Sequence, residues 1–352
     1  MKELLRGLPA AAGGATGVAV AVLDRGRERV LVGGTTDRGR SRPVTGRTRF
    51  EIGSLTKTFT GLLLAEMAER GEVRLTDPVR RLLPPGAAPG MSREVTLETL
   101  ATHTSGLPHL PPGLWWRALP RWRTDPYRDY GPADLAAALR RTHPGPPGRF
   151  RYSNFGAALL GGLLARAGGR PFEDLLVDRV VRPLGLVDTG FGAQPQVTGY
   201  LRGRPRPPWT MPGMPGAGAL RSSAVDLLRY LTAHLTPGTT ALGTTALGEA
   251  LAAVARPRVT AGDHEVCLVW NLRRRAGREL LFHSGATRGC TSFAAFSPGA
   301  GFAFAALANA GPTVGSSFVQ RAYEVAWELL DQVEVDRYSR GVLGATPHSA
   351  RP

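Results

Sequence analysis

Phe50-Glu51-Ile52-Gly53-Ser54-Leu55-Thr56-Lys57-Thr58-Phe59 sets a lysine three residues after a serine, at the head of an apolar run. The chain holds two lysines against 42 arginines, so an amine at position 57 breaks a strong habit. Arginine keeps its proton in proteins, whereas a desolvated lysine beside another cation can approach neutrality and act as a base. With Ser54 opening a helix, Lys57 lies one turn along on the same face, within reach of the hydroxyl. Ser-x-x-Lys is then a candidate nucleophile and base for acyl transfer. The plainer alternative is an N-capping serine followed by a solvated lysine. Phe59, Leu62, Leu63, Leu64 and Met67 weigh against it, because they leave no broad polar face before Glu66, Glu69 and Arg70, and the first turns are expected to be buried.

The 352 residues suffice for one large or two medium domains, and 42% hydrophobic residues is ordinary for a globular chain. A formal charge of +16 would suit an anionic partner, yet the arginines are scattered; Arg273-Arg274-Arg275 and residues 202–206 are the dense groups. No zinc-finger spacing, aromatic RNA-binding signature or basic region leading into heptads accompanies them, so no nucleic-acid partner is expected. Cys267 and Cys290 stand alone, and no His-Glu-x-x-His occurs, so neither metal nor cofactor is expected. Cys290 reads as a small buried hydrophobe. The first residues lack a signal-peptide pattern and no stretch approaches a membrane span, which makes a cytoplasmic location without membrane insertion the expectation. Nothing in the chain specifies an oligomeric state.

Residues 16–23 and 29–33 read as strands joined by the Asp24-Arg25-Gly26 turn. Helices are expected from Ser54 to Gly71 and over residues 97–102, 134–141, 157–167 and 224–233; strands over 265–272, 280–283, 291–296 and 302–307. A helix with Phe318, Ala322, Val325, Ala326 and Leu329 on one face follows. Thr-Thr-Ala-Leu-Gly occurs twice within residues 239–248, too short a duplication to be a structural repeat. Trp115, Trp116, Trp122, Tyr127 and Tyr130 fall in a long Pro-rich loop and form either a substrate-facing wall or a lid's own core. Strands at both ends with helices between them imply an α/β (α+β) chain, in which an antiparallel sheet built from the two termini carries an inserted helical part.

Two further motifs stand where a Ser-x-x-Lys enzyme needs them. Tyr152-Ser153-Asn154 precedes a helix, in a chain with three asparagines, and His283-Ser284-Gly285 ends a strand, with Ala286 and Thr287 beyond. Alone, Tyr152 would read as a packed aromatic, Asn154 as a helix cap and His283 as a structural histidine. Together with Thr102-His103-Thr104-Ser105-Gly106-Leu107-Pro108, Arg182-Pro183-Leu184-Gly185-Leu186 and residues 216–223 before Asp226, they make residues 17–309 resemble the class C beta-lactamase-like serine hydrolases. That group includes penicillin-binding DD-peptidases, D-aminopeptidases, esterases and certain acyltransferases.

The resemblance implies a beta-lactamase/DD-peptidase-like fold: one catalytic unit over residues 1–335, with a sheet part near 15–75 and 262–335, a helical part near 76–261, and a flexible tail over 336–352. It implies Ser54 as nucleophile, Lys57 and Tyr152 sharing removal of its proton, Asn154 binding the acyl side chain, and the N–H groups of Ser54 and Ala286 as oxyanion hole. Tyr152 could act as a base only with its phenol lowered by nearby positive charge. Gly285 would let the strand edge approach a small-molecule or peptide substrate closely. His103 reads as a structural turn residue. The beta-lactamases of this group carry Lys-Thr-Gly where this chain has His283-Ser284-Gly285. A group titrating near ~6.5 replaces a permanent cation, which points to an ester or a D-amino-acid amide rather than a beta-lactam. The alternatives are an acyltransferase or peptide cyclase of the same mechanism, a true beta-lactamase, or a non-catalytic basic binder.

Overall fold

Alternation in Gly17-Val18-Ala19-Val20-Ala21-Val22-Leu23-Asp24 decides how the ends of the chain meet. The computed structural model describes residues 2–39, 42–192, 196–237, 245–313 and 317–343. In chain order its strands are β1 (Gly17–Asp24), β2 (Arg27–Gly34), β3 (Phe50–Glu51), β4 (Gly199–Leu201), β5 (Arg204–Arg206), β6 (Arg221–Ser222), β7 (Val259–Ala261), β8 (His264–Val266), β9 (Asn271–Arg275), β10 (Arg278–Ala286), β11 (Thr291–Ser297) and β12 (Phe302–Ala308). Eight form one antiparallel sheet in the order β2-β1-β12-β11-β10-β9-β8-β7. The first strand thus pairs with the last, Val20 opposite Ala306.

The pleat sorts side chains by size. Val18, Val20, Val22, Phe302 and Phe304 point to one face, where Leu8 and the Phe318–Leu343 helix cover them. Ala19, Ala21, Ala303 and Ala305 point to the other, and their small size lets the central helices lie close. The expected apolar stripe of the last helix is buried: Phe318, Ala322, Val325, Ala326 and Leu329 are each at most 2% exposed. That helix runs to Leu343, so the first part of the expected tail is helical; residues 344–352 lie outside the described residues. A helix over Lys2–Ala11 was not expected from the sequence. The first copy of the Thr-Thr-Ala-Leu-Gly duplication lies outside the described residues, while Thr245 of the second caps the Ala246–Ala253 helix.

Two differences bear on the site. The strand expected over residues 265–272 is broken between β8 and β9, where Val269 takes φ 74 and its N–H bonds to Ala101 O at 3.1 Å. β9 therefore begins only at Asn271, paired with Phe282, and leaves the last residues of β10 without a β9 partner. The Thr56–Glu69 helix is buried all round through Met67, and Glu66, expected on a polar face, is fully buried and held by Arg70 and by Arg179 at 3.3 Å. Among the described residues no helix is long and apolar enough to cross a membrane, and no group of three His, Cys, Asp or Glu is placed to hold a metal ion.

Candidate active site

Ser54 does not sit in the helix. It occupies a single 3-10 turn, Gly53–Leu55, which runs directly into the Thr56–Glu69 helix. The three-residue spacing still works, because both turns wind the same way: Lys57 Nζ lies 2.9 Å from Ser54 Oγ. The ammonium also donates to Ala217 O at 2.6 Å, and it is 1% exposed. No carboxylate pairs with it among the described residues. Burial without a counter-charge pushes the amine down to about 7, the range in which a lysine serves as a base. At neutral pH Lys57 is thus divided between donor and acceptor forms, and the acceptor form can take the Ser54 proton.

Burial pushes the Tyr152 phenol up to about 12, with Ser54 beside it only partly opposing. The condition for Tyr152 as a resting base, a lowered phenol, is therefore not met. Lys57 Nζ lies 5.1 Å from the Tyr152 ring centroid, too weak a contact to reverse desolvation. His103, read from sequence as a turn residue, packs its ring 4.5 Å from that of Tyr152 and accepts from Ser153 N–H at 3.3 Å through Nδ1. It holds φ 58, unusual for a non-glycine residue, while its carbonyl accepts from Arg151 N–H at 2.7 Å. Its turn motif was visible in the sequence; the contact, across 49 residues of chain, was not.

Ser153, not Asn154, caps the Asn154–Ala167 helix, accepting from Gly156 N–H at 2.8 Å. The Asn154 amide is left to line the same cleft as Ser54 and Tyr152, together with His283, Ser284, Gly285 and Ala286; the cleft encloses about 600 Å³. Of the candidate catalytic and substrate-binding residues, all but Lys57, which lies behind Ser54, meet at this cleft. His283 is 4% exposed, and burial plus the Lys57 charge push its imidazole down to about 3, not near its free value. It is neutral at physiological pH.

Two glycines bring the backbones together. Gly53 holds φ 50, and a Cβ there would sit 2.6 Å from Ala286 O; one on Gly285 would sit 2.0 Å from Ile52 O and 2.8 Å from Ser54 N. The Thr287 N–H bonds the carbonyl of Cys290, the residue just before β11, so by strand alternation the Ala286 N–H points to the opposite edge, which β9 does not cover. The backbone amides of Ser54 and Ala286 are thereby brought to the same end of the cleft. Glu51, buried beneath, accepts from Thr287 Oγ1 at 3.0 Å and Trp209 N–H at 2.6 Å and so braces the strand end; its role was not legible from sequence. Of the five loop aromatics, Tyr130 is core, Trp115 and Trp116 are exposed, and Trp122 and Tyr127 line a second cavity. Cys290 is 1% exposed.

On this fold a hydroxyl lies beside a desolvated amine. The family profile for Beta-lactamase matches residues 1–326, and the chain belongs to the beta-lactamase family. D-alanyl-D-alanine-carboxypeptidase/endopeptidase AmpH of Escherichia coli K12 is 33% identical over 238 residues, 63% of this chain and 58% of that protein. Penicillin-binding protein 4 of Amycolatopsis lactamdurans is 30% identical over 86% of this chain and 82% of its own. Esterase EstB of Burkholderia gladioli is 33% identical over 49% of this chain and 47% of its own. The match thus spans little more than half of AmpH and less than half of EstB. In fold, the class C beta-lactamase of Rhodobacter sphaeroides superposes with a TM-score of 0.79 at 24% identity, covering 93% of this chain and 98% of that one.

Proposed function

We propose that the protein hydrolyses a small ester or a D-amino-acid amide through an acyl-enzyme on Ser54. The observation that carries this is Lys57 Nζ at 2.9 Å from Ser54 Oγ in a buried, acid-free setting. The neutral amine takes the hydroxyl proton as Oγ attacks the carbonyl carbon, and the Ser54 and Ala286 amides receive the oxyanion. The Lys57 proton then reaches the leaving group through the neutral Tyr152 hydroxyl, which gives one proton and takes another. Water then attacks the ester carbonyl and gives a proton to Lys57, which passes it to Ser54 Oγ as the ester bond breaks and the acid leaves. Asn154, in the same cleft, holds the substrate beside the scissile carbonyl.

The substrate class rests on His283. A neutral, buried imidazole offers no charge to a beta-lactam carboxylate, and Ser284 adds only a hydrogen bond. Arg273 also lines the cleft, but it is paired with Asp263. The expected result is a kcat/KM for p-nitrophenyl acetate or butyrate about tenfold or more above that for nitrocefin, with His283→Lys moving the ratio towards nitrocefin. Faster turnover of nitrocefin by the wild type would return the protein to beta-lactam hydrolysis.

The Lys57 amine also sets a pH dependence. Since the unprotonated form is the base, kcat/KM is expected to fall about tenfold per unit as pH drops below ~7, and to level off above it. A profile for p-nitrophenyl acetate that is flat from about pH 5 to 8 would remove Lys57 from the base role.

A further inference from the structure

Ala286 lines two cavities. One is the cleft with Ser54 and Tyr152; the other, of about 270 Å³, is walled by Leu114, Trp122, Tyr127, Leu201 and Trp209, with Arg288 at its side. Tyr152, the proton donor to a leaving group, faces only the first. With the carbonyl held at Ala286, the leaving group occupies the first cavity and the acyl chain enters the second.

The second cavity is apolar except for unanswered donors. Arg288 lies over the Trp122 ring at 4.9 Å, makes no ion pair or side-chain hydrogen bond among the described residues, and its buried Nε has no partner. Trp209 Nε1 on the same wall is likewise buried and unpartnered. The β4–β5 hairpin packs on Gly289, Tyr200 N–H bonding Gly289 O at 3.1 Å, and so brings Arg206 beside Arg288; Arg206 Nε is also an orphan. The Arg288 guanidinium is lowered by burial and by the charge of Arg206. Asp125, at this end of the molecule, is engaged by Thr210 through N–H at 2.8 Å and Oγ1 at 2.7 Å. Two like charges with buried, unsatisfied N–H groups cost free energy unless an anion is bound between them.

We propose that this cavity is the acyl subsite and that it selects acyl groups with an apolar or aromatic body ending in a carboxylate, bound by Arg288 with Arg206 in support. The assignment rests on the Ser54 acyl-enzyme reading. A planar guanidinium stacked on indole presents its free edge for bidentate pairing with a carboxylate.

The test compares the p-nitrophenyl esters of 4-carboxyphenylacetic and 4-carbamoylphenylacetic acid. They share leaving group and shape and differ only in terminal charge, so the ratio of their kcat/KM values cancels effects common to both. The wild type is expected to favour the carboxylate ester by about tenfold or more. Arg288→Gln should bring the ratio near one, Arg288→Lys should keep part of it, and Arg206→Gln should lower it. A wild-type ratio at or below one, or a ratio unchanged in Arg288→Gln, overturns the proposal. If the Arg288 variants do not fold, an unchanged ratio in Arg206→Gln overturns it instead. Ester turnover that survives Ser54→Ala brings down the acyl-enzyme reading and this one with it, whereas Ser54-dependent turnover with a flat ratio removes this inference alone.

Discussion

Ser54→Ala is expected to abolish covalent labelling by a fluorophosphonate and by a fluorescent penicillin, and to lower kcat for p-nitrophenyl acetate by up to about 10⁶-fold. The loss is that large because the hydroxyl is the group that forms the intermediate; the Ser54 and Ala286 amides would remain and supply the residual catalysis. No second nucleophile can substitute from within the cleft: its other hydroxyls belong to Tyr152, which burial holds neutral, and Ser284, which has no lysine one turn away. Removing Oγ leaves the 3-10 turn intact, since Gly53 and the contact with Ala286 set it. Mass spectrometry of the labelled wild type should find the adduct on the peptide containing Ser54. Unchanged labelling of the variant would sink the mechanism.

Lys57→Arg is expected to cost about 10²–10⁴-fold in kcat/KM, the usual consequence of losing a general base. The substitution keeps a cation at the position but makes deprotonation inaccessible. Lys57 is enclosed, with Ala217 O at 2.6 Å, so a guanidinium would also strain the pocket, and Lys57→Met serves as the uncharged comparison of similar length. Lys57→Met should melt within a few degrees of the wild type and Lys57→Arg lower, because a buried guanidinium finds no counter-charge there, and both should be nearly inactive. Near-full activity in Lys57→Arg would mean that charge alone is needed; activity in Lys57→Met would remove the residue from the mechanism.

Much of the site could be read from the chain because its signals are local. A lysine three residues from a serine, a tyrosine and asparagine at a helix start, and a glycine at a strand end are each spacings of one turn or one pleat, and backbone geometry converts them directly into proximity. The Val–Ala alternation of β1 and the Phe–Ala alternation of β12 likewise state which side chains share a face. The end-to-end sheet followed from strands at the two termini.

What the sequence by itself determined was thus the inventory of reactive groups and the faces on which they lie. Tertiary structure alone decided how those groups behave. Val269 lies in the break that delays β9 to Asn271 and leaves the β10 edge open; Ala217, 160 residues away, supplies the carbonyl behind Lys57; Arg206 on a distant hairpin leaves Arg288 facing a like charge. Lys57 is pushed down, Tyr152 up and His283 far down, although nothing in the neighbouring residues announces either the direction or the size. The reason is physical: a proton affinity depends on how much water the whole fold removes from around a group and on which charges it leaves there, and those neighbours come from parts of the chain whose spacing in sequence carries no information about their distance in space.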